Sequence, residues 1–140
     1  MDRAGVQDWL TRYVEAWRSY DPQQIGALFS EDADYRYHPY DEGDDVVHGR
    51  DAIVRAWLDG VPAGIASAPD GAGTYDARYE PYAVDGDRAV AVGWTRYWTD
   101  ASRQEQTEAY HNVFLLRFDA DGRCTTFTEF FVKRPRAGEP

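Results

Sequence analysis

Val6, Trp9, Leu10, Tyr13, Val14 and Trp17 recur at the i, i+3, i+4, i+7 spacing of an amphipathic helix. That helix is expected to end near Tyr20. Asp21 and Pro22 then supply an N-cap followed by proline at the first helical position, with Gln24 three residues beyond the cap. The spacing predicts a short second helix carrying Ile25, Leu28 and Phe29. After Ser30–Ala33 the pattern changes to alternation in D-Y-R-Y-H-P, which predicts a first strand stopped by Pro39. The run Y-D-E-G-D-D is a loop. Residues 48–60, H-G-R-D-A-I-V-R-A-W-L-D-G, read as a third helix with Ile53, Val54, Trp57 and Leu58 on its buried face and Gly60 ending it.

Residues 61–73 are rich in Gly, Ala and Pro and read as a long flexible connection, a type of loop that often serves as a lid. Long strands follow at about 74–84, 88–99, 105–118 and 123–133. Asp85-Gly86 and the D-A-D-G at 119–122 are hairpin turn signals between them. Consecutive hairpins give a mostly antiparallel sheet. Helices first and a long sheet afterwards define an α+β class, with the helices packed on one face of the sheet. The 140 residues suit one domain with a single core, and the last few residues read as a flexible tail.

Composition changes this picture in one respect. A hydrophobic content of 43% places the chain among folded proteins, but five Trp and ten Tyr exceed what a plain core requires. Rings with polar handles suit ligand cavities and interfaces, where a surface is apolar yet hydrogen-bonds. The formal charge of −10 argues against nucleic acid and against anionic membrane surfaces as partners. No apolar run approaches the roughly 20 residues of a membrane-spanning helix, and the amino terminus lacks the basic-then-apolar form of a signal peptide. The single cysteine, Cys124, allows no internal disulfide and fits a reducing cytoplasm. It is expected as a small buried hydrophobe in a strand.

Cofactor and metal chemistry find little support. Asp41, Glu42, Asp44 and Asp45 lack the ligand order of a calcium loop and read as a solvated acidic loop. The three histidines have no zinc-ligand spacing. There is no phosphate loop, nucleophile elbow or dinucleotide fingerprint, so no cofactor is expected.

The run R-Y-V-E-A-W-R-S-Y-D-P-Q-Q-I-G-A-L-F-S-E-D-A, the G-R-D-A-I after it and the late F-L-L-R-F-D-A-D-G-R-C resemble the NTF2-like superfamily. The SnoaL-like and ketosteroid-isomerase-like branch is the nearest part. The resemblance covers nearly the whole chain, and the order and spacing of its motifs carry it. It implies a cone-shaped α+β barrel, a deep apolar cavity and a homodimer formed through the sheet. It does not imply one reaction, since members isomerise, cyclise, hydrolyse or only bind. In register with the family, Tyr13 falls where steroid isomerases have a tyrosine that donates to the substrate oxygen. His38 of H-P falls at the general-base aspartate, and Phe114 at the protonated aspartate of the oxyanion hole. Arg96-x-Trp98 falls where related epoxide hydrolases carry Arg-x-Asp. Both departures argue against those particular reactions.

The same register turns Trp94, Arg96 and Trp98 toward the cavity, together with Phe127, Glu129 and Phe131 of the last strand. An unpaired arginine in an apolar cone is costly, and Glu129 is its most economical partner. The alternatives are a pair that serves only packing, or an arginine stacked on tryptophan at a dimer surface. Asn112 is expected inward with Tyr110 and Phe114, and His111 outward. His38 is a candidate proton shuttle and Tyr13 a candidate donor to developing negative charge. Trp17 is expected in the cavity wall and His48 in the rim loop. Two readings stay open. One is a cytoplasmic protein that binds a small apolar organic molecule and carries out cofactor-independent acid–base chemistry of the isomerase, cyclase or hydrolase kind. The other is a non-catalytic binding or interaction module of the same fold.

Overall fold

A computed structural model describes residues 1–59 and 74–135. The predicted apolar stripe forms α1, Arg3–Ser19, which buries Val6, Trp9, Leu10, Tyr13 and Val14. Asp2 caps it by accepting from the Gly5 backbone N–H at 2.8 Å. The helix stops at Tyr20, whose φ of 52° lies in the left-handed region and whose N–H returns to the Ala16 carbonyl. Asp21 caps α2, Pro22–Ala27, by accepting from the Gln23 N–H at 2.9 Å.

Strand β1 spans Phe29–Arg36 and so starts earlier than the alternation suggests. Phe29, expected in the second helix, instead pairs with Cys124 in the sheet. Its ring is fully buried there, against Trp9, Tyr35 and Trp57. A single 3-10 turn at Gly43–Asp45 leads into the two-residue strand β2, Val47–His48, and then α3, Arg50–Asp59. Ile53 and Trp57 of α3 are fully buried, whereas Leu58, expected on the same face, is 37% exposed. At 100° per residue, Leu58 lies one step past the stripe set by Ile53 and Trp57. The 61–73 connection lies outside the described residues.

Strands β3 (Tyr75–Asp85), β4 (Arg88–Trp98), β5 (Gln106–Phe118) and β6 (Cys124–Lys133) form three successive antiparallel pairings. The β3–β4 hairpin turns through Gly86 at φ 60°, where a side chain would be strained. The six-stranded sheet has the order β2-β1-β6-β5-β4-β3 and does not close. One pairing is parallel, that of β1 with β6, so the α+β sheet is mixed. Helix α1 packs along β3. Trp9, Phe29, Tyr35, Trp57, Phe114 and Phe127 fill the space between helices and sheet. Each such ring contributes roughly 1.5–3 kcal/mol through burial. Cys124 is buried in β6, as its composition suggests. Among the described residues no helix is long and apolar enough to cross a membrane.

The phase of β4 decides what the sheet offers the interior. Its inner positions are Ala89, Ala91, Gly93 and Thr95, three of which are buried, followed by Tyr97. Small side chains there leave room for rings from α1 and β3. A Cβ at Gly93 would sit 2.4 Å from the Tyr79 ring and closer still to the Arg78 carbonyl oxygen. Glycine is therefore required where Tyr79 crosses the strand.

A tyrosine-lined candidate site

Between α1, β1 and the inner faces of β3–β6 lies a cavity of about 420 Å³, within the usual range for small-molecule sites. Tyr13 and Trp17 reach it from α1, Tyr35 and Tyr37 from β1, Tyr75 and Tyr79 from β3. Thr95 and Tyr97 come from β4, Tyr110 and Asn112 from β5, and Glu129 and Phe131 from β6. The alternation of each strand brings these residues to one face. Antiparallel register places Thr95 opposite Tyr110, Asn112 opposite Phe131 and Phe114 opposite Glu129.

A directed chain of hydrogen bonds runs through this wall. Asn112 Nδ2 donates to Glu129 Oε2 at 2.7 Å, which leaves Asn112 Oδ1 to accept from Thr95 Oγ1 at 2.8 Å. The threonine hydroxyl has one proton, so Tyr79 must donate to Thr95, at 2.5 Å. Every donor in the chain points toward Glu129. Such chains polarise one another in a low-dielectric interior. Opposite, the Tyr13 and Tyr35 hydroxyls lie 3.3 Å apart.

Burial raises Glu129 from the ordinary 4.5 to about 7, with the Asn112 hydrogen bond opposing the rise. A carboxyl group poised there can both give and take a proton at neutral pH. Burial also pushes the phenols upward: Tyr37 reaches about 12, and Tyr13, Tyr35, Tyr75, Tyr79 and Tyr97 all rise well above their usual value. The nearby Glu129 charge adds to several of these rises. They stay neutral hydroxyls, able to donate a hydrogen bond but not to act as bases.

At the mouth, His38 and Asp41 form a second polar unit. Asp41 accepts from the His38 backbone N–H at 3.1 Å, and its other oxygen lies 3.3 Å from His38 Nδ1. The imidazole is stacked on Tyr40, with ring centroids 4.9 Å apart. Asp41 departs from the expected solvated acidic loop, because its side chain is buried beneath this turn. Among the described residues no group of three or more His, Cys, Asp or Glu side chains is placed to hold a metal ion.

A family model described as "SnoaL-like domain" matches residues 10–127. The chain belongs to the SnoaL-like domain family. Solved structures agree on the fold of this SnoaL-like domain. A proposed ketosteroid isomerase from Kribbella flavida DSM 17836 superimposes with a TM-score of 0.63 at 19% identity, over 99% of this chain and 84% of that one. A protein from Sphaerobacter thermophilus gives 0.61 at 17% identity, over 91% and 95%. No curated protein sequence matches the chain.

Of the residues the sequence singles out, Tyr13, Trp17, His38, Asn112, Glu129 and Phe131 line the pocket of the SnoaL-like domain. Phe114 and Phe127 lie behind the lining, fully buried and packed against the Tyr13 ring. Strand β4 corrects the reading of W-T-R-Y-W. Trp94, Arg96 and Trp98 do not line the pocket, and Thr95 and Tyr97 do. Arg96 is exposed on the outer face, its guanidinium 4.3 Å from the Trp94 ring centroid, and Glu129 is not its partner. The observed contact is an arginine–tryptophan stack, the contact that the second alternative places at a dimer surface. Trp98 follows a break in register and lies beneath the guanidinium of Arg103. His111, opposite Trp94, is exposed as expected, and His48 pairs with Asp34 at 2.5 Å on the surface. Sequence reasoning missed Tyr79, Thr95 and Asp41. Gly93 held the available signal, since an isolated glycine in a strand marks a close approach on its own face.

Proposed function

We propose that this domain binds a small, largely apolar organic molecule in the tyrosine-lined cavity and that Glu129 exchanges a proton with it. The observation that carries the reading is Glu129 itself, a carboxyl raised to about 7, held by Asn112 at 2.7 Å and opening onto the cavity. Tyr13 stands as donor to negative charge developing on a ligand oxygen, with Tyr35 within reach to share it. His38, oriented by Asp41, stands at the mouth as a second proton carrier. Trp17, Tyr97 and Phe131 supply apolar contact. This assigns Glu129 the role of acid and base in an isomerase-type step, in keeping with the fold. Its place on β6 differs from the His38 position to which the family comparison points.

The test begins with a thermal-shift screen of neutral polycyclic ketones and phenols, since a ligand that binds only the folded state raises apparent stability. Turnover of any hit is then measured in wild type and in Glu129→Gln. For such a neutral hit, which needs no counter-charge from Glu129, the variant is expected to retain binding and lose about 100-fold or more in kcat. Unchanged turnover removes the role of Glu129, and an absence of any cavity ligand removes the reading.

A homodimer through the outer sheet face completes the proposal. Leu115, Phe130 and Val132 are exposed there on neighbouring strands, beside Val113 and Trp94. A contiguous apolar patch of this kind marks an interaction surface.

A further inference from the structure

The lining of the pocket is one-sided in charge. Asp41, Asp45 and Glu129 contribute carboxyls, while no lysine or arginine lines it among the described residues. Cations on neighbouring segments are held elsewhere. Arg36 Nε donates to the Asp41 carbonyl at 3.3 Å, Lys133 pairs with Glu108 at 2.9 Å, and Arg18 with Asp76 at 2.5 Å. Glu129 has Asn112 as its hydrogen-bond partner and no ion pair among the described residues. A buried carboxylate without a counter-charge is costly, so a guest that brings one is favoured over a neutral guest of the same shape. A carboxylate or phosphate guest would meet like charge.

The aromatic wall points the same way. Along the rim, Tyr75, Tyr97, Tyr110 and Phe131 follow one another with ring centroids 5.5, 6.2 and 5.6 Å apart. Tyr97 is at 82° to Tyr110, and Tyr110 at 90° to Phe131. Perpendicular neighbours turn their faces in different directions, unlike a flat stack, and all four rings border the one cavity. Boxes of aromatic rings closed by a carboxylate are the arrangement that holds alkylated ammonium groups, since each ring within about 6 Å attracts the cation through its quadrupole.

We infer that the guest of this pocket is an organic ammonium ion, a protonated or quaternary amine on an apolar skeleton, with the Glu129 carboxylate as its counter-charge and the tyrosine rim as its cage. The inference rests on the binding half of the proposed function and does not need the proton transfer. Glu129 must be ionised to serve, so affinity for a permanent cation rises with pH through about 7. Facing Glu129 are Tyr13 of α1, Tyr35 and Tyr37 of β1, Tyr79 of β3, Tyr97 of β4, and Tyr110 and Asn112 of β5. His38, Asp41 and Asp45 line the same space from the loop. Because His38 shares the pocket, a variant and not the pH profile alone must assign the effect.

The probes are phenyltrimethylammonium and tert-butylbenzene, which have the same shape and differ by the positive charge. Binding to the full chain is measured by calorimetry at about pH 6 and pH 8. The neutral dye 6-propionyl-2-dimethylaminonaphthalene reports whether the cavity takes any apolar guest. The cation is expected to bind about tenfold or more tightly than its neutral isostere at pH 8. The preference is expected to shrink several-fold at pH 6 and to be largely lost in Glu129→Gln. Should that variant fail to fold, the same widening between pH 6 and pH 8 in His38→Gln serves in its place. Equal or tighter binding of tert-butylbenzene overturns the inference and leaves the cavity reading standing. So does binding of the dye with no binding of the cation. A preference that survives Glu129→Gln unchanged overturns the assigned counter-charge. If neither probe nor dye binds, the proposed function falls as well.

Discussion

At Glu129 the burial that tunes the group also works against the fold. The carboxyl stands at about 4.5 in the unfolded chain and about 7 in the folded one. The folded state therefore binds the proton more tightly, and this contribution to stability is complete below about pH 4.5 and lost as pH rises through 7. The full difference is about 3 kcal/mol, less what solvent reaching the carboxyl through the cavity removes. Glu129→Gln keeps an acceptor for Asn112 and has no charge to bury. Urea unfolding should find the variant about 1–3 kcal/mol more stable than wild type near pH 8, and nearly equal to it near pH 4.5. A variant less stable than wild type near pH 8 would show that the carboxylate is paired in the fold. A smaller effect belongs to Tyr13, where Tyr13→Phe leaves the buried Tyr35 hydroxyl without its neighbour at 3.3 Å. That change should lower stability by about 1 kcal/mol while altering ligand affinity in any titration of the pocket.

At the scale of the element, β4 controls whether the pocket exists. Gly93→Ala forces a methyl group against the Tyr79 ring and the Arg78 carbonyl, neither of which can withdraw without breaking the β3–β4 pairing. The expected loss is about 3 kcal/mol or more, with Tyr79 dislodged from Thr95. Near-ultraviolet circular dichroism, which reads the packing of the tyrosines, should change along with the unfolding midpoint. The helices and hairpins were legible because their apolar spacing, caps and turn residues are local signals. The β4 phase was not, because W-T-R-Y-W carries large rings on both faces. Its bulkier aliphatic and indole side chains, Val90, Val92 and Trp94, point outward, while Ala89, Ala91 and Gly93 face the core. Size here answers to the room that Tyr13 and Tyr79 need, and hydrophobicity is a poor guide to direction. Asn112 could be oriented from β5 alone, and antiparallel pairing with Gly93 then fixes Thr95 and Tyr97 inward.

For the whole molecule, the proposed association rests on the exposed apolar side chains on the outer face of the sheet. Phe130→Glu puts a charge beside Leu115 and Val132, and if the proposed homodimer forms there, sedimentation should show wild type at twice the chain mass and the variant at the chain mass. Monomeric wild type would remove that proposal. The surface charge of −10 should leave such a dimer more stable in salt, where repulsion between like-charged copies is screened.

The first long strand of the chain is clasped by its last, Tyr35 against Phe127. During synthesis α1 and α2 therefore leave the ribosome long before the surface that shelters them is made. The antiparallel pairs, β1 with β2 included, can assemble from sequence neighbours, whereas the parallel pairing of β1 with β6 joins residues some ninety positions apart. That closure is the step expected last in folding. Until it happens, Phe29 and Tyr35 lack the cover that Cys124 and Phe127 of β6 give them, and that interval is when a chaperone or an aggregate would compete for them.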